Sequence, residues 1–80
     1  MKIECKRFDL LDLNESQVSF IAESFFSEAQ TDFDGGYMSL SIGNYEIAYE
    51  LFSMLGNDEW YKLRAKKCQD RIEEIKESQS

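Results

Sequence analysis

Thr31-Asp32-Phe33-Asp34-Gly35-Gly36-Tyr37-Met38-Ser39-Leu40-Ser41-Ile42-Gly43 is the stretch whose reading decides the fold. Asp34-Gly35-Gly36 reads as a turn, and beyond it Met38, Leu40 and Ile42 alternate with Ser39 and Ser41 as on a half-buried strand. A helical reading competes, because Phe33, Tyr37 and Leu40 continue the three-to-four spacing of the preceding residues and Asp34 can N-cap a second short helix. A lone strand leaves its backbone donors and acceptors unpaired, so the strand reading needs a partner. The natural one is the N-terminus, where Ile3 and Cys5 fall on one side of a loosely alternating segment. That pairing gives an α+β fold with a two-stranded sheet from residues 2–8 and 37–42. The helical reading gives a mainly α domain of three to four helices with a short N-terminal strand or arm, and the flanking sequence leans toward it.

On the N-terminal side, Asn14 followed three residues later by Gln17 forms a capping-box pattern, and Val18, Ile21, Ala22, Phe25 and Ala29 then recur at helical spacing. This predicts a helix from Glu15 to about Gln30. On the C-terminal side, Asn44 starts a helix that Ala48, Leu51, Phe52 and Leu55 line on one face and Gly56 ends. After Asp58, which can cap, the residues Tyr61, Ala65, Cys68, Ile72 and Ile75 step 4-3-4-3 along a third helix, a heptad seam. The 80 residues are expected to form one domain: an extended arm over 1–13, a helical body over 14–77 and a frayed tail at 78–80.

Charge is distributed unevenly along this frame. Between Phe8 and Tyr61 there is no lysine or arginine, yet eleven acids: Asp9, Asp12, Glu15, Glu23, Glu28, Asp32, Asp34, Glu46, Glu50, Asp58 and Glu59. All nine basic residues lie outside that stretch, and the net charge is −7. Such a surface repels itself and attracts cationic partners. Six of the bases fall on the third helix, and five of them, Lys62, Arg64, Lys66, Lys67 and Arg71, cluster along its middle, where they serve to neutralise neighbouring acids or solvate the surface; direct nucleic-acid binding is not expected.

Catalytic chemistry finds little support. The absence of histidine removes the commonest general base and every Ser-His or Cys-His arrangement, and no phosphate-binding or metalloprotease motif occurs. Asp32-Phe33-Asp34-Gly35 resembles part of a calcium loop, but with Gly35 at the invariant glycine, Gln30 and Ser41 stand where the first and last carboxylates belong. The reading is therefore no enzyme, no metal and no cofactor. Cys5 and Cys68 are 63 residues apart, and the start carries no apolar signal region, so free thiols and a cytoplasmic location are expected. No apolar run is long enough for a membrane span.

The segment Gly43-Asn44-Tyr45-Glu46-Ile47-Ala48-Tyr49-Glu50-Leu51-Phe52-Ser53-Met54-Leu55-Gly56 resembles the second helix of a tetratricopeptide repeat. In that family a Gly-polar-Tyr turn joins helix A to helix B, followed by a small residue and then an aromatic; Gly43, Tyr45, Ala48 and Phe52 occupy those places, and Gly36 falls at the small residue of helix A. The likeness covers about one repeat and departs from the pattern at Trp60, where the inter-repeat proline belongs, and at Asp32 and Ser39, where helix A carries its tryptophan and aromatic. It implies protein binding by a helical surface.

Function is accordingly expected to be protein binding. The leading reading is a small acidic inhibitor that occupies a basic or nucleic-acid-binding surface of a partner protein, as a nucleic-acid mimic; in general character it is similar to phage anti-CRISPR and anti-restriction proteins. Its patch consists of Asp32, Asp34, Glu46, Glu50, Asp58 and Glu59, with Tyr45, Tyr49 and Trp60 as aromatic anchors. The alternatives are a tetratricopeptide-like adaptor or chaperone subunit, and a small-ligand binder at an oligomer interface. A homo-oligomer through the 61–75 helix is a further expectation.

Overall fold

The computed structural model describes the backbone of residues 2–3, 11–12, 14–56 and 58–79, and the side chains of 14–56 and 58–78. Lys2–Ile3 (β1) pairs antiparallel with Leu11–Asp12 (β2), Lys2 opposite Asp12 and Ile3 opposite Leu11. Three helices follow: α1 over Glu15–Asp34, α2 over Met38–Leu55 and α3 over Glu59–Gln79. The body is a small all-α domain in which α2 is the central helix, packed on α1 and on α3.

The start of α1 follows from its sequence. The Gln17 N–H donates to Asn14 Oδ1 at 2.9 Å and the Asn14 N–H donates to Gln17 Oε1 at 3.0 Å, so two otherwise orphaned donors are satisfied reciprocally. Val18, Ala22, Phe26 and Ala29 are the buried stripe. The helix runs one turn beyond the expected end at Gln30, to Asp34.

What stops it is the glycine pair, which forms a helix cap and not the turn into a strand. The Gly36 N–H donates to the Phe33 carbonyl at 3.2 Å and the Tyr37 N–H to the Asp32 carbonyl at 2.8 Å, the double bond pattern of a Schellman motif. Gly36 carries the left-handed φ of 85° that the motif requires at this place and that a Cβ disfavours. Asp34 is therefore the last residue of α1, not the N-cap of a further helix.

The chain re-enters helix at once, and the strand over 37–42, with the α+β alternative built on it, is overturned. The Ser41 N–H donates to the Tyr37 carbonyl at 2.9 Å, the first intrahelical bond of α2. Alternation had placed Leu40 inside and Ser41 outside; in the structure Leu40 is 61% exposed and Ser41 is 0% exposed. Burial of Ser41 is satisfied because its hydroxyl donates to the Ala29 carbonyl at 2.9 Å, and its small side chain lets α2 approach α1. Asn44 is likewise not a helix start: it sits inside α2, and its Nδ2 donates to Asp32 Oδ2 at 2.8 Å across the α1–α2 interface. The helix-joining turn that the tetratricopeptide likeness implies at Gly43-Asn44-Tyr45 is also inside α2; the turn lies at Gly35–Gly36 instead.

Helix α3 matches the heptad reading. Asp58 Oδ1 accepts the Trp60 N–H at 2.8 Å at its start. The seam residues Ala65, Cys68 and Ile75 are buried, and Tyr61 and Ile72 pack against the same core. The helix continues to Gln79, two residues into the stretch expected to fray. The core is strongly aromatic. Phe52 stands between the helices, its ring centroid 6.2 Å from Phe26 of α1 and 6.2 Å from both Trp60 and Tyr61 of α3. Phe26 also meets Tyr45 edge-on at 5.8 Å.

Candidate protein-binding surface

The expected binding residues do not assemble into one patch. Asp32 and Asp34 lie at the end of α1 beside the start of α2, whereas Asp58 and Glu59 lie at the start of α3 beside the end of α2. An 18-residue helix separates the two pairs, about 27 Å at 1.5 Å per residue. Asp32 is moreover half-buried and committed to Asn44. Glu46 and Glu50 hold the middle, one turn apart, on the side of α2 that faces solvent and the edge of α3. The structure adds Glu73 of α3 to them across a groove of about 330 Å³ that also includes Tyr49, Gln69, Ile72 and Lys76. Glu73 escaped the sequence reading because α2 and α3 run antiparallel and the seam alone does not say which flank of α3 meets Glu46.

The aromatic anchors separate as sharply. Tyr45 is 0% exposed and is a core residue, unavailable to a partner. Its hydroxyl faces the Arg71 guanidinium without reaching hydrogen-bonding geometry, and burial pushes the phenol above its ordinary value of 10.0, with Arg71 opposing. Tyr45 is one residue before Glu46, about 100° round the helix from it, and points into the interface with Phe26. Tyr49 is half-buried and lines the groove. Trp60 is 45% exposed, one face packed near Phe52 and Tyr61.

Apart from Lys76, which lines the groove, the bases of α3 divide into two groups. Arg64, Lys67 and Arg71 turn toward α1: the Arg64 guanidinium lies 4.8 Å from the centroids of both Phe26 and Trp60, and that of Arg71 lies 4.3 Å from Phe33. Lys67 Nζ is 5.8 Å from the Phe26 ring. Arg64 Nε also stands 3.4 Å from Glu23 Oε1, and Arg71 pairs with Glu74 at 3.2 Å. The i, i+3, i+7 spacing of these three residues on the flank of the seam is the sequence signal for this arrangement. Lys62 and Lys66 face outward, and Lys66 reaches only Asp70, at 4.0 Å.

The heptad seam of α3 packs against the core of its own chain. Among the described residues Phe20, Tyr37, Leu40, Trp60 and Leu63 are the large apolar side chains that remain exposed, with Phe20 at 74%. Cys68 is buried and free, and burial pushes its thiol up to about 12, with Arg64 opposing; this is the opposite of an activated nucleophile. Cys5 lies outside the described residues, as does the rest of the strand or arm expected over 4–8. Among the described residues no three acids or thiols converge as metal ligands, and no helix is long and apolar enough to cross a membrane. Compared with known proteins, the chain matches no family model, no curated protein sequence and no solved structure.

Proposed function

We propose that the protein binds a partner protein through the acidic outer side of α2, occupying a basic surface that otherwise receives nucleic acid, and so inhibits that partner. One observation carries this reading. α1 and α2 contain the acids Glu15, Glu23, Glu28, Asp32, Asp34, Glu46 and Glu50 and no base, while the arginines of α3 are spent on the α1 side against Phe26 and Phe33. Glu46 and Glu50 therefore form no ion pair among the described residues, a like-charge pair at i, i+4 that costs a few tenths of a kcal/mol alone and becomes favourable against Lys or Arg of a partner. Glu73 and Tyr49 complete the contact surface, and Asp34 at one end of α2 and Asp58 and Glu59 at the other extend the field that steers association.

The adaptor reading draws on a different observation, the exposed Phe20, Trp60 and Leu63, which suit apolar contact. Ionic strength separates the two, because contacts between exposed charges are screened and apolar burial is not. Capture from nuclease-treated lysate at low and high salt, with wild type and a Glu46→Gln/Glu50→Gln variant, is the test. Retention of a nucleic-acid-binding protein that is lost at high salt, competed by added DNA or RNA and weakened in the variant, is the expected result. A partner retained at high salt and indifferent to the variant sinks the proposal and favours the adaptor.

A further inference from the structure

The groove beside Glu46 does not stop at Tyr49. It continues along α2 and α3 into a second hollow of about 340 Å³, and the two halves share Tyr49 and Gln69. The first half carries Glu46, Glu50 and Glu73 with Lys76; the second carries Lys62 and Lys66 and no acid. The groove is thus bipolar, net negative at one end and positive at the other. Glu46, Glu50, Glu73 and Lys62 have no ion-pair partner among the described residues, and Lys66 has only the long, exposed contact to Asp70.

The spacing along α3 is as regular as the charge. Lys62, Lys66, Gln69, Glu73 and Lys76 step 4-3-4-3, the rhythm of the buried seam shifted by one residue, so a second stripe runs the length of the helix on the groove side. The stripe of α3 carries lysine at both ends, and it is Glu46 and Glu50 of α2 that make one end of the groove net negative; a groove charged in this way complements its own copy when the copy is turned end for end. About a two-fold axis at Gln69, Lys66 comes opposite Ile72 and Glu73 of the other copy, and Lys62 comes opposite Lys76, at the end where Glu46 and Glu50 outnumber that lysine. In a parallel arrangement like ends would face each other. A two-fold contact needs one self-complementary patch, and this groove has that property.

We infer that the α2–α3 groove is the interface of an antiparallel homodimer of this chain, held by Lys62 and Lys66 of each copy against Glu46, Glu50 and Glu73 of the other. The chain charge of −7 opposes association at long range, but at physiological ionic strength the screening length is about 8 Å, so distant acids contribute little while contacts across the groove persist. The inference does not rest on the proposed partner, although a basic partner would compete for Glu46 and Glu50.

Sedimentation velocity over a concentration series reaching millimolar protein tests it, together with two charge-reversed variants at exposed positions, Lys62→Glu/Lys66→Glu and Glu46→Lys/Glu73→Lys. The wild type is expected to dimerise with rising concentration, each variant alone to stay monomeric with unchanged helical circular dichroism, and the equimolar mixture of the two variants to dimerise again. A wild type that stays monomeric throughout overturns the inference. So does a wild-type dimer that survives either double reversal, or a mixture that fails to associate. A failed dimer leaves the pull-down result unaffected, and a failed pull-down leaves the dimer unaffected.

Discussion

The two sides of α1 are held by different means. Toward α2, small residues let the backbones meet: Ala22, Ala29, Ala48 and Ser41 are fully buried, and Ser41 and Asn44 reach across to the Ala29 carbonyl and the Asp32 carboxylate. Toward α3, α1 has little backbone contact, and the space is spanned by the long side chains of Arg64, Lys67 and Arg71 laid over the rings of Phe26 and Phe33. Acids and bases that are segregated along the sequence thus meet in space, but on one side only. The outer side of α2 keeps its acids because the arginines that would have neutralised them are occupied elsewhere.

Phe52 of α2 meets rings of both α1 and α3, so its loss is the largest expected effect. Phe52→Ala removes ring contacts to Phe26, Trp60 and Tyr61 at once and should cost about 3–5 kcal/mol, read as a drop in denaturation midpoint. A cost near 1 kcal/mol would mean that α3 is only loosely seated. The same core should make the fold alkali-sensitive. Burial raises the Cys68 thiol from 9.0 to about 12, and Tyr45 is also raised, so the neutral forms are favoured in the folded state. Their contribution is fully present below pH 9 and is lost as pH rises from 9 toward 12, because the unfolded chain releases these protons first. Stability measured across that range should fall in wild type and fall less in Cys68→Ala; equal slopes would place the thiol in water.

The glycines sharpen the account of the α1–α2 hairpin. Gly36→Ala forces a Cβ into φ 85° and should cost about 1–2 kcal/mol. Gly43→Ala meets nothing within 4 Å in mid-helix and should gain about 0.5–1 kcal/mol. A turn at residues 43–45 would reverse that order in thermal melts. The smallest effect concerns the α1–α3 side. Arg64→Met should lose about 0.5–1 kcal/mol through its ring contacts, whereas Lys62→Met, which removes the same charge from an exposed position, should stay within about 0.5 kcal/mol. Equal effects in chemical denaturation would reduce Arg64 to ordinary surface charge.

Much of the helical frame was legible locally. The reciprocal bonds of Asn14 and Gln17, the end of α2 at Leu55–Gly56 and the 4-3-4-3 seam of α3 each depend on residues within a turn or two of one another, and period and cap chemistry report such features directly. Residues 31–43 were not legible in this way. Met38, Leu40 and Ile42 satisfy a period of two, and Met38, Ile42 and Tyr45 satisfy a helix; the burial of Ser41 against Ala29 and the Schellman bonds of Gly36 and Tyr37 select between them. The binding patch was legible only as composition. Sequence shows that acids outnumber bases from Phe8 to Tyr61, but the antiparallel course of α1, α2 and α3 divides the six acids of the expected patch between two ends and one groove, and buries Tyr45 in the core.

What the sequence determined by itself was the set of local decisions: where α1 starts, where α2 ends, which face of α3 is apolar, and that the chain is acidic. Only the tertiary structure decided that residues 38–42 are helix, that Tyr45 is core, that Arg64 and Arg71 serve α1, and that Glu73 joins Glu46 and Glu50. The reason is range. Caps and periodicity are governed by neighbours along the chain, whereas the burial of a serine and the direction of an arginine depend on a helix 12 or more residues away, whose position no local pattern specifies.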